Sequence, residues 1–181
     1  IAFYSVRTGT RDVFTMDADG RNVRPVTSGP SQDYFPDWSP DGRRLCFTGT
    51  ATGAREVFVT GRGDDGRWSP PKQLTFGADR VSAYQRWSPD GRFIAYAHAS
   101  GIALVSPNGS TPRILPDPAH APGQFRSVAW GRDPNAVYYL AADAVKGNGI
   151  WAIPVAGGAP RLVLRLDGPG WVQRVQRFAA Y

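Results

Sequence analysis

The sequence has very little of what exposed helix faces are built from. Lys72 and Lys146 are its only lysines, Glu56 is its single glutamate, and methionine occurs once among 181 residues. These residue types are strong helix formers, so their scarcity excludes a helical bundle. Cys46 is the one cysteine, which excludes an internal disulfide and a cysteine-based metal cluster. No apolar run approaches the roughly 18–20 residues of a membrane span, so membrane insertion is not expected.

Glycine, proline and aromatic residues are abundant instead. The chain has 21 Gly, 16 Pro, 9 Phe, 7 Tyr and 6 Trp, a composition that favours short strands joined by tight turns. Its hydrophobic content of 41% argues against disorder, and its length predicts one domain over residues 1–181. Because Ile1 opens directly in strand-like sequence, we expect a trimmed chain whose targeting signal is not visible.

Short apolar segments recur along the chain, and the first residues of the first set lie 44, 49 and 43 residues apart. One set comprises 1–3, 45–47, 94–96 and 137–139; a second comprises 13–16, 57–60, 102–105 and 150–153; a third comprises 24–27, 72–75, 113–116 and 161–164. Asp-Gly, Asn-Gly or Gly-Gly pairs separate the second and third sets, as hairpin turns require. Each period therefore predicts three successive antiparallel strands.

A fourth element precedes each of these units and carries an aromatic anchor. It spans residues 34–42 and 84–91, both ending in Trp-Ser-Pro-Asp-Gly, then a worn copy at 126–134, and finally 174–178. The Trp supplies a plate to pack between twisted sheets, and Pro-Asp-Gly turns the chain sharply. Four strands per period of about 45 residues predict an all-β propeller of four-stranded antiparallel blades. The four repeats are placed at about 1–44, 45–93, 94–136 and 137–181.

These motifs resemble the WD-like repeat of TolB-type β-propellers. The resemblance covers essentially the whole chain, is specific over residues 1–98 and degenerates from about residue 116. It implies recognition of a protein or peptide partner and an extracytoplasmic bacterial setting, periplasmic or secreted. Repeats of this kind occur in many unrelated proteins, so the resemblance defines the fold better than the function.

Three ring architectures are compatible with four repeats. The first is a closed four-bladed ring, in which residues 171–178 would complete the N-terminal blade. The second is a homodimer that joins two chains into eight blades, and the third is a fragment of a longer propeller. A molar mass in solution near twice 19.7 kDa would count against the monomeric ring.

Loops that enter the innermost strands converge at the mouth of a propeller channel, where ligands bind. Counting back from each anchor aromatic and adding neighbouring residues predicts a ligand or partner site at Asp33, Tyr34, Tyr84, Arg86, Phe125, Arg126, Trp171 and Arg174. Converging arginines could clamp a carboxylate or phosphate bidentately. The alternative is that these residues serve packing between blades and ion pairs with the many Asp at the rim.

The sequence contains no assembled catalytic set. There is no Gly-x-Ser-x-Gly elbow, and His98 and His120 fall in different parts of consecutive repeats. Glu56 is expected to face solvent, which argues against paired carboxylates for glycoside chemistry. We expect no metal, no cofactor and no enzyme activity. The alternative is a propeller that belongs to, or assists, a hydrolase, peptidase or lyase, with an anionic small molecule or peptide carboxylate as ligand.

The basic character, a formal charge of +6, does not by itself predict a nucleic-acid partner. The arginines are spread over several turns with Asp nearby, and no dense basic run is present. The sequence predicts a solvated Arg/Asp surface instead. Trp68, in a Gly-rich segment, is either an interaction anchor or a ring packed over a blade edge.

Overall fold

All regular elements that the structure describes are β-strands. This computed structural model describes residues 1–76, 84–117, 125–141 and 148–166, with the backbone alone for Phe125 and Arg126. Among the residues it describes there is no helix, and thus none long and apolar enough to cross a bilayer. The all-β prediction is confirmed.

Fifteen strands form four antiparallel sheets that follow one another along the chain. The first sheet contains β1 (Ala2–Ser5), β2 (Asp12–Thr15) and β3 (Arg24–Pro25). The second contains β4 (Asp33–Trp38), β5 (Arg44–Gly49), β6 (Glu56–Gly61) and β7 (Lys72–Gln73). The third contains β8 (Arg86–Trp87), β9 (Ile94–His98), β10 (Gly101–Val105) and β11 (Arg113–Pro116). The fourth contains β12 (Phe125–Trp130), β13 (Ala136–Ala141), β14 (Gly149–Pro154) and β15 (Arg161–Arg165).

Each sheet is a simple meander, in which every strand pairs with the next strand along the chain. β4, β8 and β12 are the first strands of their sheets, and contacts run from β4 to β8 and from β8 to β12. These three strands therefore face a common interior, as the inner strands of propeller blades do. The predicted fold, a β-propeller of four-stranded antiparallel blades, is confirmed.

The first sheet ends at β1, the counterpart of the second strand in each other sheet. The Ile1 and Met16 backbones exchange both hydrogen bonds. In an antiparallel pair such residues alternate, so the backbone N–H and C=O groups of Phe3 and Ser5 also face β2, whereas those of Ala2 and Tyr4 face away from it. Residues 171–178, predicted to supply the missing inner strand, lie outside the described residues. Closure by that segment stays a prediction.

Neighbouring sheets pack through large side chains at the positions that the repeat predicts. Trp87 is 5% exposed and lies in one apolar cluster with Cys46, Val59, Ile94 and Tyr96 of the second and third sheets. Burying an indole of this size contributes several kcal/mol. Trp87 is therefore a plate between two blades, as the motif predicts.

The Trp-Ser-Pro-Asp-Gly turn is held by its own serine and aspartate. The Ser39 hydroxyl donates to Asp41 at 2.5 Å and accepts the Arg44 N–H at 2.9 Å, while Gly42 takes a φ of 67°. Ser88 repeats both contacts with Asp90 and Phe93, at 2.7 and 2.9 Å. Both copies therefore close the turn between the first two strands of a blade in the same way.

Candidate functional site

The two ends of the sheets carry different chemistry. We call the end that holds the Trp-Ser-Pro-Asp-Gly turns the turn end, and the opposite end, where β4 and β8 begin, the aromatic end. The loops of the aromatic end include those that connect β1 to β2, β5 to β6, β9 to β10, and each sheet to the next. Loops of this kind lie where propellers hold their ligands.

Four rings meet at the aromatic end and form what we call the aromatic cluster: Tyr4, Tyr34, Phe35 and Tyr84. The Phe35 ring centroid lies 5.3 Å from that of Tyr4, 5.8 Å from that of Tyr34 and 4.5 Å from that of Tyr84. Tyr4 is 42% exposed and Tyr84 is 36% exposed, whereas the other two rings are half-buried. The cluster thus brings together residues of three successive sheets and presents aromatic surface to solvent.

Two of these aromatics adopt a backbone conformation that favours glycine. Phe35 has a φ of 52° and Tyr84 a φ of 84°, and both lie three residues before the anchor tryptophan of their repeat. A non-glycine residue held there carries strain of about 1–3 kcal/mol, and such residues concentrate at functional sites. At Phe35 the cause is a bulge, because the pairing of β4 with β5 shifts register between Tyr34 and Asp37.

Two arginines flank the cluster, and in the part of the chain that the structure describes neither of them forms an ion pair with a carboxylate. The guanidinium carbons of Arg11 and Arg55 lie 5.6 and 5.8 Å from the Tyr34 ring centroid. Arg11 also donates to the Gln32 side-chain oxygen at 3.1 Å. The ion pairs of the described residues join other arginines, namely Arg21, Arg67 and Arg92, to aspartates two residues away at the turn end. Arg11 and Arg55 therefore keep positive charge available beside exposed rings.

Asp33 and Tyr34 open β4, but only Tyr34 contributes to the exposed surface. Asp33 is 4% exposed and lies beside the Thr27 and Ser31 side chains. Burial raises the pKa of Asp33, with a smaller contribution from the negative charge of Asp12. Asp33 thus organises the loop from within instead of facing a ligand.

Arg86 is half-buried and turned toward its own surroundings. Its guanidinium donates to the Gln85 carbonyl at 3.0 Å, and its own carbonyl accepts the Trp130 indole N–H at 3.1 Å. Burial raises the pKa of Asp37. The Trp87 N–H, which donates to the Asp37 carboxylate, and the positive charge of Arg86 both oppose that rise. Arg86 therefore ties three inner strands together instead of standing free as an anion clamp.

The other predicted site residues fall at the margins of the described chain. Phe125 and Arg126 belong to β12, whose pairing with β13 shifts register between Phe125 and Ser127. Their side chains, and all of Trp171 and Arg174, lie outside the described residues. A site that uses these four side chains stays a prediction.

Sequence reasoning missed several residues of the aromatic end. Tyr4, Phe35, Arg11 and Arg55 were not predicted, although an aromatic three positions before Trp38 and again before Trp87 is visible in the sequence. Gln85 was missed as well: it is fully buried, accepts the Thr48 hydroxyl at 2.6 Å and donates to the Phe35 carbonyl. This amide fixes the strained Phe35 backbone against the third sheet.

One expectation was wrong, and one open alternative is decided. Glu56 does not face solvent but is 1% exposed, and the Thr75 hydroxyl donates to its carboxylate. The Thr75 oxygen in turn accepts the Val57 N–H, so the third and fourth strands of that blade are linked by a polar contact. Trp68 packs on Trp38, with ring centroids 5.8 Å apart, which is packing over a blade edge.

Comparison with known families supports the repeat interpretation. The profile of the TolB beta propeller domain family matches residues 1–158. A Tol-Pal system protein TolB from Desulfosudis oleivorans is 26% identical over 120 residues, covering 64% of this chain and 26% of that protein. The TolB of Anaeromyxobacter dehalogenans is 32% identical over 116 residues, covering 61% of this chain and 25% of that protein. The chain thus spans about a quarter of these curated relatives.

Solved structures share the fold at lower identity. An Agrobacterium tumefaciens structure assigned as TolB aligns with a TM-score of 0.73 at 21% identity, covering 89% of this chain and 59% of that one. A puromycin-hydrolyzing peptidase from Mycobacterium tuberculosis aligns with a TM-score of 0.63 at 17% identity, covering 86% of this chain and 24% of that one. At these identities the likeness is one of fold.

Proposed function

This chain belongs to the TolB β-propeller family, and from that premise we propose that it is a non-enzymatic module that recognises a protein or peptide segment at its aromatic end. One observation carries the proposal. Phe35 and Tyr84, equivalent in successive repeats, are both held at positive φ with their rings in contact and partly open to solvent. Strain retained at two equivalent positions serves the shape of a surface better than it serves stability.

The chemistry of this end suits a peptide ligand. Tyrosine and phenylalanine rings provide large contact area with few rotatable bonds, and such residues dominate the binding energy of protein interfaces. Arg11 and Arg55 beside Tyr34 add charge that favours a segment bearing a carboxylate. The relatives' name places them in the Tol-Pal system, which supports a protein partner and a periplasmic or secreted location for this chain.

The test is a capture experiment followed by affinity measurement. The immobilised full chain is incubated with a periplasmic extract of its source organism, and a retained protein is identified, purified and titrated by calorimetry. We expect Phe35→Ala or Tyr84→Ala to weaken binding by about tenfold or more, the loss typical of an interface hot spot. The double change Arg11→Ala/Arg55→Ala should also weaken binding. The affinity of this variant should fall less than that of the wild type as salt is raised, because the electrostatic contribution is gone.

A matched control uses arginines from the turn end. Arg21→Ala/Arg67→Ala removes the same charge from residues that pair with Asp19 and Asp65 and should leave the affinity unchanged. Equal losses in both double variants would show a non-specific charge effect and overturn the proposal. Arg126→Ala/Arg174→Ala tests the predicted remainder of the site, with unchanged recovery removing those two residues from it.

The second candidate is a propeller attached to, or assisting, a hydrolase or peptidase. The observation that favours it is the alignment with the puromycin-hydrolyzing peptidase, of which this chain covers only 24%. A Dipeptidyl-peptidase 5 from Porphyromonas gingivalis is also 33% identical over 59 residues. A Gly-x-Ser-x-Gly module in the same coding sequence would decide for this candidate. The absence of such a module from the complete gene would decide against it.

A further inference from the structure

A second surface feature lies at the turn end, away from the aromatic cluster. A groove of about 340 Å³ opens between the second and third sheets. Its lining includes Arg44, Gly61, Ser69 and Lys72 from the second sheet and Pro107 and Asn108 from the third. A volume near the lower end of the range for small-molecule sites is large enough for a small organic ligand.

Strand register explains why two cations face this groove. Arg44 pairs with Gly61 across β5 and β6, and Lys72 pairs with Val59 across β6 and β7. Directly opposed residues, and residues two apart on one strand, share a face of the sheet. Val59 packs toward the third sheet, so both cationic side chains leave the sheet on that side. Two strand spacings and an offset of two residues put their Cα atoms about 12 Å apart.

Gly61 makes the space between them. A Cβ at this position would lie 3.8 Å from the Arg44 side chain and 3.9 Å from the Ser69 hydroxyl, so any larger side chain would fill the groove. The glycine does not have a positive φ and is not needed for the backbone. Its lack of a side chain leaves an open floor between the two charges.

The two cations are oriented but not neutralised. The Arg44 guanidinium carbon lies 4.8 Å from the Trp87 ring centroid, a stacked position that leaves the N–H groups at the guanidinium edge available. The Lys72 ammonium donates to the Asn108 carbonyl at 2.6 Å, which uses one of its three hydrogens and none of its charge. Among the described residues no carboxylate lies within 4.0 Å of either cation. Arg44 lowers the pKa of Asp41 slightly through its charge, but the Asp41 carboxylate accepts its hydrogen bonds from the Ser39 hydroxyl and the Arg43 N–H.

We propose that this groove binds a small organic molecule carrying a phosphate or carboxylate group, with Arg44 and Lys72 on the oxyanion. Pro70 and Pro107 provide apolar walls for the organic part of the ligand. Arginine supplies planar paired donors and lysine a point charge, a combination suited to an oxyanion. The site is separate from the aromatic end and does not depend on the function proposed there.

The test titrates the full chain with three probes of similar size: phenyl phosphate, benzoate and benzyl alcohol. Binding is followed by the amide signals of Gly61 and Gly109 in NMR spectra and by calorimetry. We expect saturable binding of at least one anion and none of the alcohol. The anion that binds tighter identifies the preferred group. Equal shifts with all three probes, or no saturation with any up to about 20 mM, would overturn the proposal.

Charge-removal variants locate the site. Arg44→Gln and Lys72→Gln should each weaken anion binding by about tenfold, the value of one charge-assisted contact. Arg92→Gln, in the equivalent turn of the next sheet and paired with Asp90, is the control and should bind as the wild type does. Lys72 is exposed, so Lys72→Gln keeps the test decisive if Arg44→Gln lowers stability through lost stacking on Trp87. Unchanged binding in Lys72→Gln would refute the site.

Discussion

The two ends of the sheets use the same unusual backbone conformation for opposite purposes. At the turn end, positive φ falls on Gly42 and Gly91, with 67° and 71°, and also on Asn22. The aromatic end has glycines in this conformation too, such as Gly9 and Gly53, but it also places Phe35 and Tyr84 there, with 52° and 84°. Glycine takes this conformation freely, whereas a side chain there carries strain. The Trp-Ser-Pro-Asp-Gly turns thus adopt this conformation without strain, whereas the aromatic end carries strain at two rings that are partly open to solvent.

Charge follows this division only in part. Arginines in the tight turns pair with an aspartate two residues away, as Arg92 does with Asp90 at 2.6 Å. Arg11 and Arg55 at the opposite end have aromatic partners instead. A local ion pair on the surface contributes little to stability but does cancel charge. The comparison teaches that Arg11 and Arg55 at one end and Arg44 at the other, which lie over aromatic rings, keep their charge available, whereas arginines paired with an aspartate two residues away do not.

The largest expected effect separates the packing aromatic from the surface aromatic. Trp87→Ala should lower the free energy of unfolding by about 3–5 kcal/mol, because it empties the interface between two sheets. Tyr84→Ala, at a ring 36% exposed, should change it by less than about 1 kcal/mol. Urea denaturation of both variants measures the difference. Comparable losses would mean that the aromatic cluster is part of the core and not a surface.

An intermediate effect is expected when the residue types at positive φ are exchanged between the ends. Gly91→Ala should cost about 1–2 kcal/mol through backbone strain alone, because its new Cβ meets only Pro40 at an ordinary 3.8 Å. Tyr84→Gly relieves such strain while losing one ring contact, so the net change should stay within about 1 kcal/mol. Thermal unfolding checks both. A loss in Tyr84→Gly larger than that in Gly91→Ala would contradict the division between the ends.

The smallest expected effect is the pH dependence of stability, which should have opposite signs for Asp37, in β4, and Asp41, in the turn that follows β4. Burial raises the pKa of Asp37 above 3.8, so its contribution to stability declines as pH rises from there through the folded-state pKa. The Ser39 hydroxyl and the Arg43 N–H lower the pKa of exposed Asp41, so its contribution is complete above pH 3.8 and is lost as pH falls through the folded-state pKa.

Asp37→Asn should therefore gain stability relative to wild type as pH rises from about 4, whereas Asp41→Asn should lose it as pH rises toward about 4. Chemical denaturation at a series of pH values gives both differences. Parallel curves for the two variants would contradict the opposite shifts in pKa.

Most of the fold was predictable because its signals are local. Trp38 and Trp87 begin turns that close on themselves within six residues, through serine and aspartate contacts that involve no distant partner. The repeat spacing then places each strand next to the strand before it, which is how all four sheets are ordered. Local chemistry repeated at a fixed period is what a sequence displays most directly.

The candidate site was only partly predictable because its contacts are distant and conformational. Phe35 reaches Tyr84 through a bulge and two positive φ values, neither of which follows from residue type. Glu56 was placed in solvent because its partner, Thr75, lies 19 residues away. A sequence does not show which distant hydroxyl will donate to a carboxylate, so a buried and hydrogen-bonded carboxylate is easily predicted to be exposed.

The side of β1 that faces away from β2 has no strand partner among the described residues, and this has a consequence for how the protein behaves in concentrated solution. Ala2 and Tyr4 direct backbone donors and acceptors away from β2, beside the exposed side chains of Ile1 and Val6. An apolar strand with free hydrogen-bonding groups is a template for adding another strand, from its own chain or from a neighbour. Pairing of this edge within the chain competes with pairing between chains. Because only the second depends on protein concentration, the tendency to associate should rise with concentration.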